Sequence, residues 1–319
     1  MTENEFLLED RIAKIKATVG KYGEENFYIS FSGGKDSTVL SALVDMAVPG
    51  NKIPRVYANT GIEYKMILDF VKKKQMEEHP WELVILKPKV PIKPMLEKEG
   101  YPFKSKRHSM YLKSYQANGL KAATVKKYIG IEDGFKKGSF KCPNVLKYQF
   151  QGHELPFKVS HYCCIRMKEE PLTRYSKESK RPYGISGIMP SEGGQRETAK
   201  CTVFANGKLK YFHPLVPLTE EWEEWFIEKY GVEICDIYKP PYNFKRTGCK
   251  RCPFALHLQE ELDTLEKYFP NERKQCEIIW KPVYDEYRRL GYRLKKPYEN
   301  DHVEGQLAFT DIDMTIGTE

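Results

Sequence analysis

The amino-acid sequence predicts an α/β protein built on a doubly wound parallel sheet, and three observations carry that prediction. Short segments rich in β-branched and aromatic residues alternate with segments whose apolar residues recur at the helical period. A glycine-rich turn joins the first of these predicted strands directly to the helix that follows it. The alternation has the spacing of βαβ units, in which consecutive strands run parallel.

The predicted elements follow from local patterns. Residues 27–31 are aromatic or β-branched and predict a buried strand, and apolar residues at 39, 40, 43, 44 and 47 predict the helix after it. Thr219, followed by two glutamates, marks the start of a later helix. The predicted helices span 5–19, 35–47, 63–75, 164–179, 219–230, 255–269 and 271–290, and the predicted strands span 27–31, 55–59, 81–86 and 183–188.

Residues 91–157 interrupt this alternation. They contain scattered prolines and little periodicity, so we expect an inserted segment, or lid, beside the carboxyl edge of the sheet. The expected organisation is an α/β domain over 1–90 and 158–240, a basic insertion over 91–157, and a C-terminal region over 241–319 that holds a Cys-x-x-Cys motif and helices.

The composition limits the class of protein. With 319 residues, 40% hydrophobic and 30% charged, the chain can bury a full core and is typical of soluble proteins. No stretch approaches the length of a membrane span, and the acidic N-terminus does not resemble a signal peptide, so we expect a cytoplasmic protein without a membrane partner. Eight cysteines without a secretory signal favour metal or redox chemistry over a disulfide framework.

The net charge of +8 is concentrated in one segment. Residues 104–147 hold eleven lysines or arginines against Glu132 and Asp133, and aromatic residues are interleaved with them. This pattern is compatible with a surface that binds nucleic acid. It is equally compatible with a solvated, lysine-rich face, and composition alone leaves both interpretations open.

The hexapeptide Ser32–Ser37, Ser-Gly-Gly-Lys-Asp-Ser, is the strongest motif for function. It lies between a predicted strand and the start of a predicted helix, where unpaired backbone N–H groups and the positive end of the helix dipole coincide. The glycines allow oxygen atoms to approach the backbone, Lys35 adds a positive charge, and the serines can donate hydrogen bonds. The motif therefore predicts a phosphate-binding loop rather than an ordinary capped turn.

This loop is not a Walker A motif, because Ile29 stands where that motif requires glycine. It resembles the pyrophosphate loop of the PP-loop ATP pyrophosphatases, the adenine nucleotide alpha hydrolase-like superfamily. The resemblance implies cleavage of ATP between the α and β phosphates, with an adenylated intermediate and pyrophosphate as products. Asp36 is expected to help hold Mg²⁺. The residues expected to bind the nucleotide are Ser32, Gly33, Gly34, Lys35, Asp36, Ser37, Thr60, Gly61 and Gly187.

Four cysteines form the second strong signal. Cys163 and Cys164 are adjacent, and Cys249 and Cys252 form a Cys-x-x-Cys motif farther along the chain. Adjacent cysteines suit a [4Fe–4S] cluster, whose four irons take separate ligands, better than a single tetrahedral zinc ion. Zinc and buried structural thiols remain as alternatives at this point.

The segments around these cysteines resemble the adenylyl-sulfate and phosphoadenylyl-sulfate (PAPS) reductase family. The similar segments are 161–172 with Cys-Cys-x-x-x-Lys-x-x-Pro-Leu, 187–196 with Gly-Ile…Glu…Arg, 213–215 with His-Pro-Leu, 246–254 around the Cys-x-x-Cys motif, and 59–64 with Asn-Thr-Gly. The resemblance implies that Cys163, Cys164, Cys249 and Cys252 hold a [4Fe–4S] cluster. It further implies that Lys168 lies near cluster and substrate and that Arg196 contacts phosphate or sulfate. With Lys35 and Asp36, these two residues complete the predicted catalytic set.

Two departures from that family shape the expected function. The late catalytic cysteine of the reductases has no counterpart after Cys276, and the loop keeps Lys35 and Asp36, whereas the loop of the reductases usually lacks the lysine. This combination is more similar to the cluster-bearing ATP pyrophosphatases and sulfurtransferases of the same family. The expected function is therefore adenylation of an acceptor for sulfur transfer, with ATP, Mg²⁺ and a sulfur-donor protein.

Two other functions stay open on the sequence. A reductase acting on adenylyl sulfate or PAPS and releasing sulfite would need a cysteine nucleophile, for which Cys276, Cys201 and Cys142 are the candidates. A non-catalytic module would bind a nucleotide and dock nucleic acid through 104–147.

Overall fold

The computed structural model describes residues 1–131, 141–152, 155–192 and 197–296. The chain forms two compact units. The first, here called the sheet unit, comprises Met1–Gly100 and His161–Lys250. The second, the helical unit, comprises Tyr101–Ser160 and the chain from Arg251 onward. The helical unit thus combines residues of the expected insertion with residues of the expected C-terminal region.

The sheet unit contains a six-stranded sheet in the order β3-β2-β1-β4-β6-β5. Five strands run parallel, and β5 pairs with β6 in the antiparallel sense. The predicted α/β fold class with a parallel sheet is therefore confirmed. The strands are β1 (Phe27–Ser30), β2 (Arg55–Ala58), β3 (Leu83–Leu86), β4 (Tyr183–Ser186), β5 (Thr202–Ala205) and β6 (Lys208–Phe212).

The helices of the sheet unit follow from caps and apolar stripes in the sequence. For example, Thr2 and Glu5 form a reciprocal capping box that begins the first helix. The second helix begins at Lys35 directly after the glycine turn. The helices are α1 (Glu3–Tyr22), α2 (Lys35–Ala47), α3 (Lys65–Met76), α4 (Ile92–Glu99), α7 (Tyr162–Cys164), α8 (Glu170–Glu178) and α9 (Glu220–Tyr230).

The main apolar core of the sheet unit lies between the sheet and α1, α2 and α9. Strand residues such as Ile29 and Ile185 are fully buried there, together with the apolar stripe of α2. The core fixes α2 against β1 and β4, and α2 also packs against α1 and α9. Because α2 starts at the phosphate loop, this packing holds the loop at the carboxyl edge of the strands.

Three parts of the sheet unit differ from the predictions, and the first is α4 (Ile92–Glu99), which lies in the segment expected to be an insertion. The hairpin β5–β6 was not predicted, although its turn residues Asn206 and Gly207 have φ values of 51° and 74°, which the Asn-Gly pair favours. The single helix predicted over 164–179 is interrupted. The π-helical stretch Ile165–Glu169 separates α7 from α8, and the bulge sets the two cysteines of α7 apart from the regular helix.

The helical unit contains α5 (Lys106–Asn118), α6 (Ala123–Ile129), α10 (Leu258–Tyr268) and α11 (Pro270–Leu290). The two C-terminal helices were predicted, whereas α5 and α6 lie in the segment for which the sequence gave weak periodicity. Many of the buried residues of α5 and α6 are aromatic or polar rather than aliphatic, which is why no apolar period was visible. Within the described residues, no helix is long and apolar enough to cross a membrane.

Candidate nucleotide-binding site

The predicted phosphate loop lies at the carboxyl end of β1, the strand between β2 and β4. Gly34 is the N-cap residue of α2, with φ −76° and ψ 162°, and the helix begins at Lys35. In open α/β sheets, ligands bind outside the carboxyl ends of the strands, where helix N-termini point at them. The local structure that the sequence predicted for this motif is therefore present.

The loop is held in shape by its own serines. The hydroxyl of Ser37 donates to the carbonyl oxygen of Gly34 at 2.9 Å, and the backbone N–H of Ser32 donates to the Ser37 hydroxyl at 3.1 Å. The N–H of Gly34 donates to the hydroxyl of Ser32 at 3.2 Å. These hydrogen bonds fix the backbone of the loop, and a phosphate would meet a preformed cradle.

Two of the predicted glycines are required by close packing. Gly33 has φ +70°, and a Cβ atom there would lie 2.8 Å from Cγ2 of Val71. Gly187 follows β4, and a Cβ atom there would lie 2.8 Å from the backbone oxygen of Asp36. Gly187 therefore lets the end of β4 approach the first turn of α2, which makes it a support of the loop.

A buried carboxylate faces the loop lysine. Nζ of Lys35 lies 2.8 Å from Oε2 of Glu223 in α9, whose side chain is 1% exposed, whereas the Lys35 side chain is 19% exposed. Both carboxylate oxygens of Glu223 lack a hydrogen bond within the described part of the chain, apart from this ion pair. Asp36 adds a second carboxyl group next to Glu223.

Burial and the neighbouring Asp36 raise the pKa of Glu223 to about 7, although Lys35 opposes that rise. Burial alone would lower the pKa of Lys35, but the ion pair with Glu223 and the charge of Asp36 raise it above its ordinary value. Lys35 is therefore a cation at neutral pH, and its partner is a buried carboxyl group whose charged form is disfavoured by burial. The negative charge of Glu223 is incompletely compensated in this cluster, and a phosphate bound to Lys35 would alter that compensation.

Two residues from the segment after α9 also reach the loop. The hydroxyl groups of Tyr238 and Thr247 are hydrogen-bonded to each other, and a Cβ atom on Gly34 would lie 3.3 Å from the Tyr238 hydroxyl. The same hydroxyl lies at the backbone N–H of Lys35. Tyr238 and Thr247 thus line the entrance to the backbone N–H groups at the start of α2.

A second anion-binding arrangement follows β2. The backbone N–H groups of Thr60 and Gly61 both donate to the carboxylate of Glu63, at 3.1 Å to Oε2 in each case. The Thr60 hydroxyl donates to Oε1 of Glu63 at 2.6 Å. The two residues predicted to bind nucleotide therefore bind a carboxylate of their own chain, which shows that their donors converge on one anion.

Lys168 in the π-helical stretch lies among thiols. The negative charge of an ionised Cys249 raises the pKa of Lys168 above its ordinary value, with contributions from Glu63 and Cys164, while burial acts in the opposite direction. Burial raises the pKa of the Cys249 thiol, and Lys168 partly offsets this. The nearby hydroxyl of Tyr57 is buried without a hydrogen-bond partner among the described residues.

The predicted cluster ligands are distributed over both units. Cys163 and Cys164 lie in α7, and Cys249 belongs to the same sheet unit, whereas Cys252 belongs to the helical unit. Lys168 links Cys164 and Cys249 electrostatically. Within residues 1–131, 141–152, 155–192 and 197–296, no three or more His, Cys, Asp or Glu side chains are grouped so that they could hold a metal ion. The cluster ligands stay a sequence-based prediction.

The remaining candidates have different surroundings. Arg196 lies outside the described residues. Cys276 is fully buried in α11, and burial raises the pKa of the Cys142 thiol to about 11. Cys201 is partly buried, and its sulfur accepts a hydrogen bond from the Arg11 guanidinium at 3.7 Å. Cys142 and Cys276 therefore lack the exposed, electropositive setting of a reactive cysteine, whereas Cys201 has a cationic neighbour and is only partly exposed.

Sequence reasoning missed four residues that contact the loop or the second anion site: Glu223, Glu63, Tyr238 and Thr247. A signal existed for Glu223. It lies between Trp222 and Phe226 on the apolar face of an amphipathic helix, and a carboxylate on such a face needs a partner. Glu63 and Thr247 lie in the segments 59–64 and 246–254 that resemble the reductase family, but the resemblance assigned them no role, and Tyr238 carries no comparable signal.

Comparison with known proteins gives partial matches. Residues 26–131, less than half of the chain, match the model of the phosphoadenosine phosphosulfate reductase domain. An uncharacterized protein of Methanocaldococcus jannaschii is 27% identical over 295 residues, which cover 87% of this chain and 56% of the relative. The chain therefore spans little more than half the length of that curated relative.

Two solved structures overlap with this one in part. The PAPS reductase of Candida auris in its phosphate complex is 13% identical, with a TM-score of 0.41 over 75% of this chain and 93% of that chain. The U34-tRNA thiolase NcsA of Methanococcus maripaludis with its [4Fe-4S] cluster is 16% identical, with a TM-score of 0.38 over 97% of this chain and 86% of that chain. The chain is thus similar to a PAPS reductase domain over residues 26–131 and carries a mostly parallel α/β sheet behind its phosphate loop.

Proposed function

We propose that this chain is an AMP-forming ATP pyrophosphatase of the PP-loop type that adenylates an acceptor for sulfur transfer. The observation that carries the proposal is the preformed cradle of Ser32–Ser37 at the N-terminus of α2, with the cationic Lys35 beside it. Backbone N–H groups and one lysine are the donors that bind a phosphate group, and the cradle they form presents no apolar surface for another class of ligand.

In the proposed reaction, an acceptor oxygen attacks the α-phosphorus of ATP. A new phosphorus–oxygen bond forms, the bond between the α-phosphorus and the bridging oxygen breaks, and pyrophosphate leaves with the electron pair. A sulfide-level sulfur nucleophile delivered by the donor then attacks the acceptor atom that bears the adenylated oxygen. A bond from that atom to sulfur forms, its bond to the oxygen breaks, and AMP leaves with that oxygen and the electron pair. Lys35 and the N–H groups of the loop stabilise the charge that develops on the departing pyrophosphate.

Two cofactors belong to the proposal without a step assigned to them. The carboxylate of Asp36, at the first turn of α2, is an oxygen ligand of the kind that Mg²⁺ prefers, and the ion supplies charge neutralisation when bound. The thiols of Cys163, Cys164, Cys249 and Cys252 are the donor type that iron–sulfur clusters use. Because the described side chains form no metal-holding group, we derive no chemistry through a cluster.

The acceptor that we propose is a nucleic acid. Several cations of the segment 104–147 are exposed, including Lys106, Arg107, Lys121 and Lys141, whereas Lys104 is buried and cannot form part of such a surface. Binding through these residues predicts an affinity for RNA or DNA oligonucleotides that falls steeply with salt. An affinity that does not change between low and high salt would remove the nucleic acid from the proposal.

The reaction is tested by separating the products that the anaerobically purified protein forms from ATP and Mg²⁺, with and without added nucleic acid. The proposal predicts AMP and pyrophosphate in equal amounts. The Lys35→Met variant is the control for contaminating activity. ADP and phosphate as products, or no turnover with any acceptor and sulfur source, contradict the proposal.

A further inference from the structure

The lysine of the loop forms an ion pair with a buried carboxylate from another helix, Glu223. The inference drawn from this pair rests on the proposed function and deepens it. We propose that Glu223 competes with bound phosphate for the ammonium group of Lys35 and thereby sets how tightly the loop holds pyrophosphate. Glu223 acts on the ligand only through Lys35, so it is a positioning residue and not a catalytic one. Glu223 lies in α9 and is not part of the loop.

Among the residues that the structure describes, Lys35 has one carboxylate within ion-pair distance. Nζ of Lys35 is 2.8 Å from Oε2 of Glu223, which is a direct charge-assisted contact. The other charged groups that act on Lys35 are Asp36 on its own helix and the exposed Glu224 on α9. Asp36 also faces Glu223 itself. The pair therefore consists of one accessible cation and one anion that cannot turn to solvent.

The burial of Glu223 makes this contact a competition. An ammonium group that contacts a phosphate oxygen can no longer neutralise Glu223 fully, and an uncompensated buried carboxylate is strongly unfavourable. Among the described residues, only the carboxyl group of Asp36 contacts the oxygens of Glu223 besides Lys35, so no second cation takes over. Phosphate must therefore bind against the free energy of the ion pair.

The same contact favours product release. When pyrophosphate leaves, Lys35 regains Glu223 as its partner, and the free energy spent on binding is recovered on release. A loop with Lys35 and without the competing carboxylate would retain pyrophosphate longer. The opposite interpretation is that Glu223 only stabilises the packing of α9 against α2. It predicts that removing the charge of Glu223 leaves the dissociation constant of pyrophosphate unchanged or raises it.

The test is a double-mutant cycle on the equilibrium binding of pyrophosphate with Mg²⁺, measured by calorimetry on the full chain. Glu223→Gln removes the charge and keeps the shape, and we expect the dissociation constant of pyrophosphate to fall about tenfold, which is 1.4 kcal/mol. In the Lys35→Met background, we expect Glu223→Gln to change the dissociation constant by less than about twofold. An unchanged or raised dissociation constant, or an equal effect in both backgrounds, overturns the proposal.

A matched control and a second variant keep the outcome clear. Glu228→Gln removes an exposed carboxylate from the same helix, so it should not alter pyrophosphate binding. Glu223→Asp draws the carboxylate back from Lys35 by one methylene, and it should tighten binding less than Glu223→Gln does. If Glu223→Gln fails to fold, as judged by circular dichroism, the Glu223→Asp arm decides, and unchanged binding in it overturns the proposal.

Failure of this inference is distinguishable from failure of the proposed function. Binding of pyrophosphate without the Glu223 effect overturns the inference alone. Tight binding with the Glu223 effect, but without formation of AMP from ATP, overturns the proposed reaction alone. A wild-type protein that binds neither pyrophosphate nor ATP overturns both.

Discussion

Two buried polar clusters, one in each unit, differ in how completely they are satisfied. In the sheet unit, Lys35, Asp36 and Glu223 form a charged cluster in which the Glu223 oxygens have no hydrogen bond beyond one ion pair. In the helical unit, the fully buried His108 is hydrogen-bonded on both sides, to the Tyr128 hydroxyl at 2.7 Å and to Oε1 of Gln149 at 3.1 Å.

This difference distinguishes the cluster around Lys35, a candidate binding site, from the network around His108, which stabilises the fold. A satisfied neutral network stabilises one structure, and removing a member leaves its partners buried without hydrogen bonds. In the charged cluster, a phosphate that takes Lys35 from Glu223 changes the balance of charge, so this cluster responds directly to a ligand. We therefore expect changes in the cluster around Lys35 to alter binding and turnover, and changes around His108 to alter the free energy of unfolding.

The largest effect is expected for Lys35→Met. Loss of the only lysine in the loop should slow pyrophosphate release from ATP by about 10²–10³-fold, the scale for removing one group that stabilises developing charge. The free energy of unfolding should also fall, because the variant leaves the buried carboxyl group of Glu223 without its cation. Rates by a coupled pyrophosphate assay and urea unfolding measure both. A rate within threefold of wild type would place the reaction elsewhere.

The reverse pattern is expected for His108→Leu in the helical unit. The substitution leaves the Tyr128 hydroxyl and the Gln149 side chain without their buried partner, and it should lower the free energy of unfolding by about 2–4 kcal/mol. Pyrophosphate affinity of the folded fraction should stay unchanged. Urea unfolding followed by tyrosine fluorescence measures the loss. A stability equal to that of wild type would show that this network is dispensable.

The acid sensitivity of the protein should follow from the same histidine. Burial lowers the pKa of His108 to about 3, against 6.5 for the free side chain. The unfolded chain therefore binds a proton at this position below pH 6.5 that the folded chain does not, and stability is lost as the pH falls from about 6.5 towards 3. The upper limit of the slope is about 1.4 kcal/mol per pH unit.

Urea unfolding at pH 7, 6 and 5 measures this slope. The contribution should disappear in His108→Leu, measured against the lowered stability of that variant. His257→Gln, which removes an exposed imidazole group, is the matched control. An identical slope in wild type and His108→Leu would assign the acid sensitivity to other groups.

A smaller effect is expected for Gly187→Ala next to the loop. Its Cβ atom would meet the backbone of Asp36 at 2.8 Å, and backbone cannot move aside as a flexible side chain can. Stability should fall by about 1–3 kcal/mol, and pyrophosphate should bind more weakly because the first turn of α2 shifts. Thermal unfolding and calorimetry report the two effects.

Gly20→Ala is the control for that substitution. Gly20 lies within α1, and nothing lies within 4 Å of a Cβ atom built there. Because alanine is the better helix former, stability should rise by about 0.5–1 kcal/mol. Equal effects of the two substitutions would show that Gly187 is not packed against the loop as described.

The fold of the sheet unit could be predicted from sequence because its signals are local. The run at 27–31, the glycine turn and the apolar stripe of α2 each lie within one short window. The hairpin β5–β6 had a local signal in Asn206-Gly207, but its short strands alternate poorly between buried and exposed residues. The helices α5 and α6 had a weaker signal, because half of their buried residues, His108, Ser109 and Tyr128, are aromatic or polar rather than aliphatic.

The local structure of the loop Ser32–Ser37 could be predicted, whereas the charged residue that pairs with its lysine could not. Lys35 and Glu223 are separated by 188 positions in sequence, and only the packing of α9 against α2 brings them together. The same holds for Tyr238 and Thr247 at the loop entrance. A sequence motif identifies the groups that would contact a ligand. The residues that change the charge and pKa of those groups lie far away in sequence and are brought close only by the fold.

Titration of ATP with Mg²⁺ into the wild-type protein and into Lys35→Met, followed by calorimetry, tests most directly whether the loop of Ser32–Ser37 binds a nucleotide through its phosphates. The account predicts one saturable site in the wild type and a dissociation constant at least about tenfold higher in the variant. Equal affinities in the two proteins would contradict it.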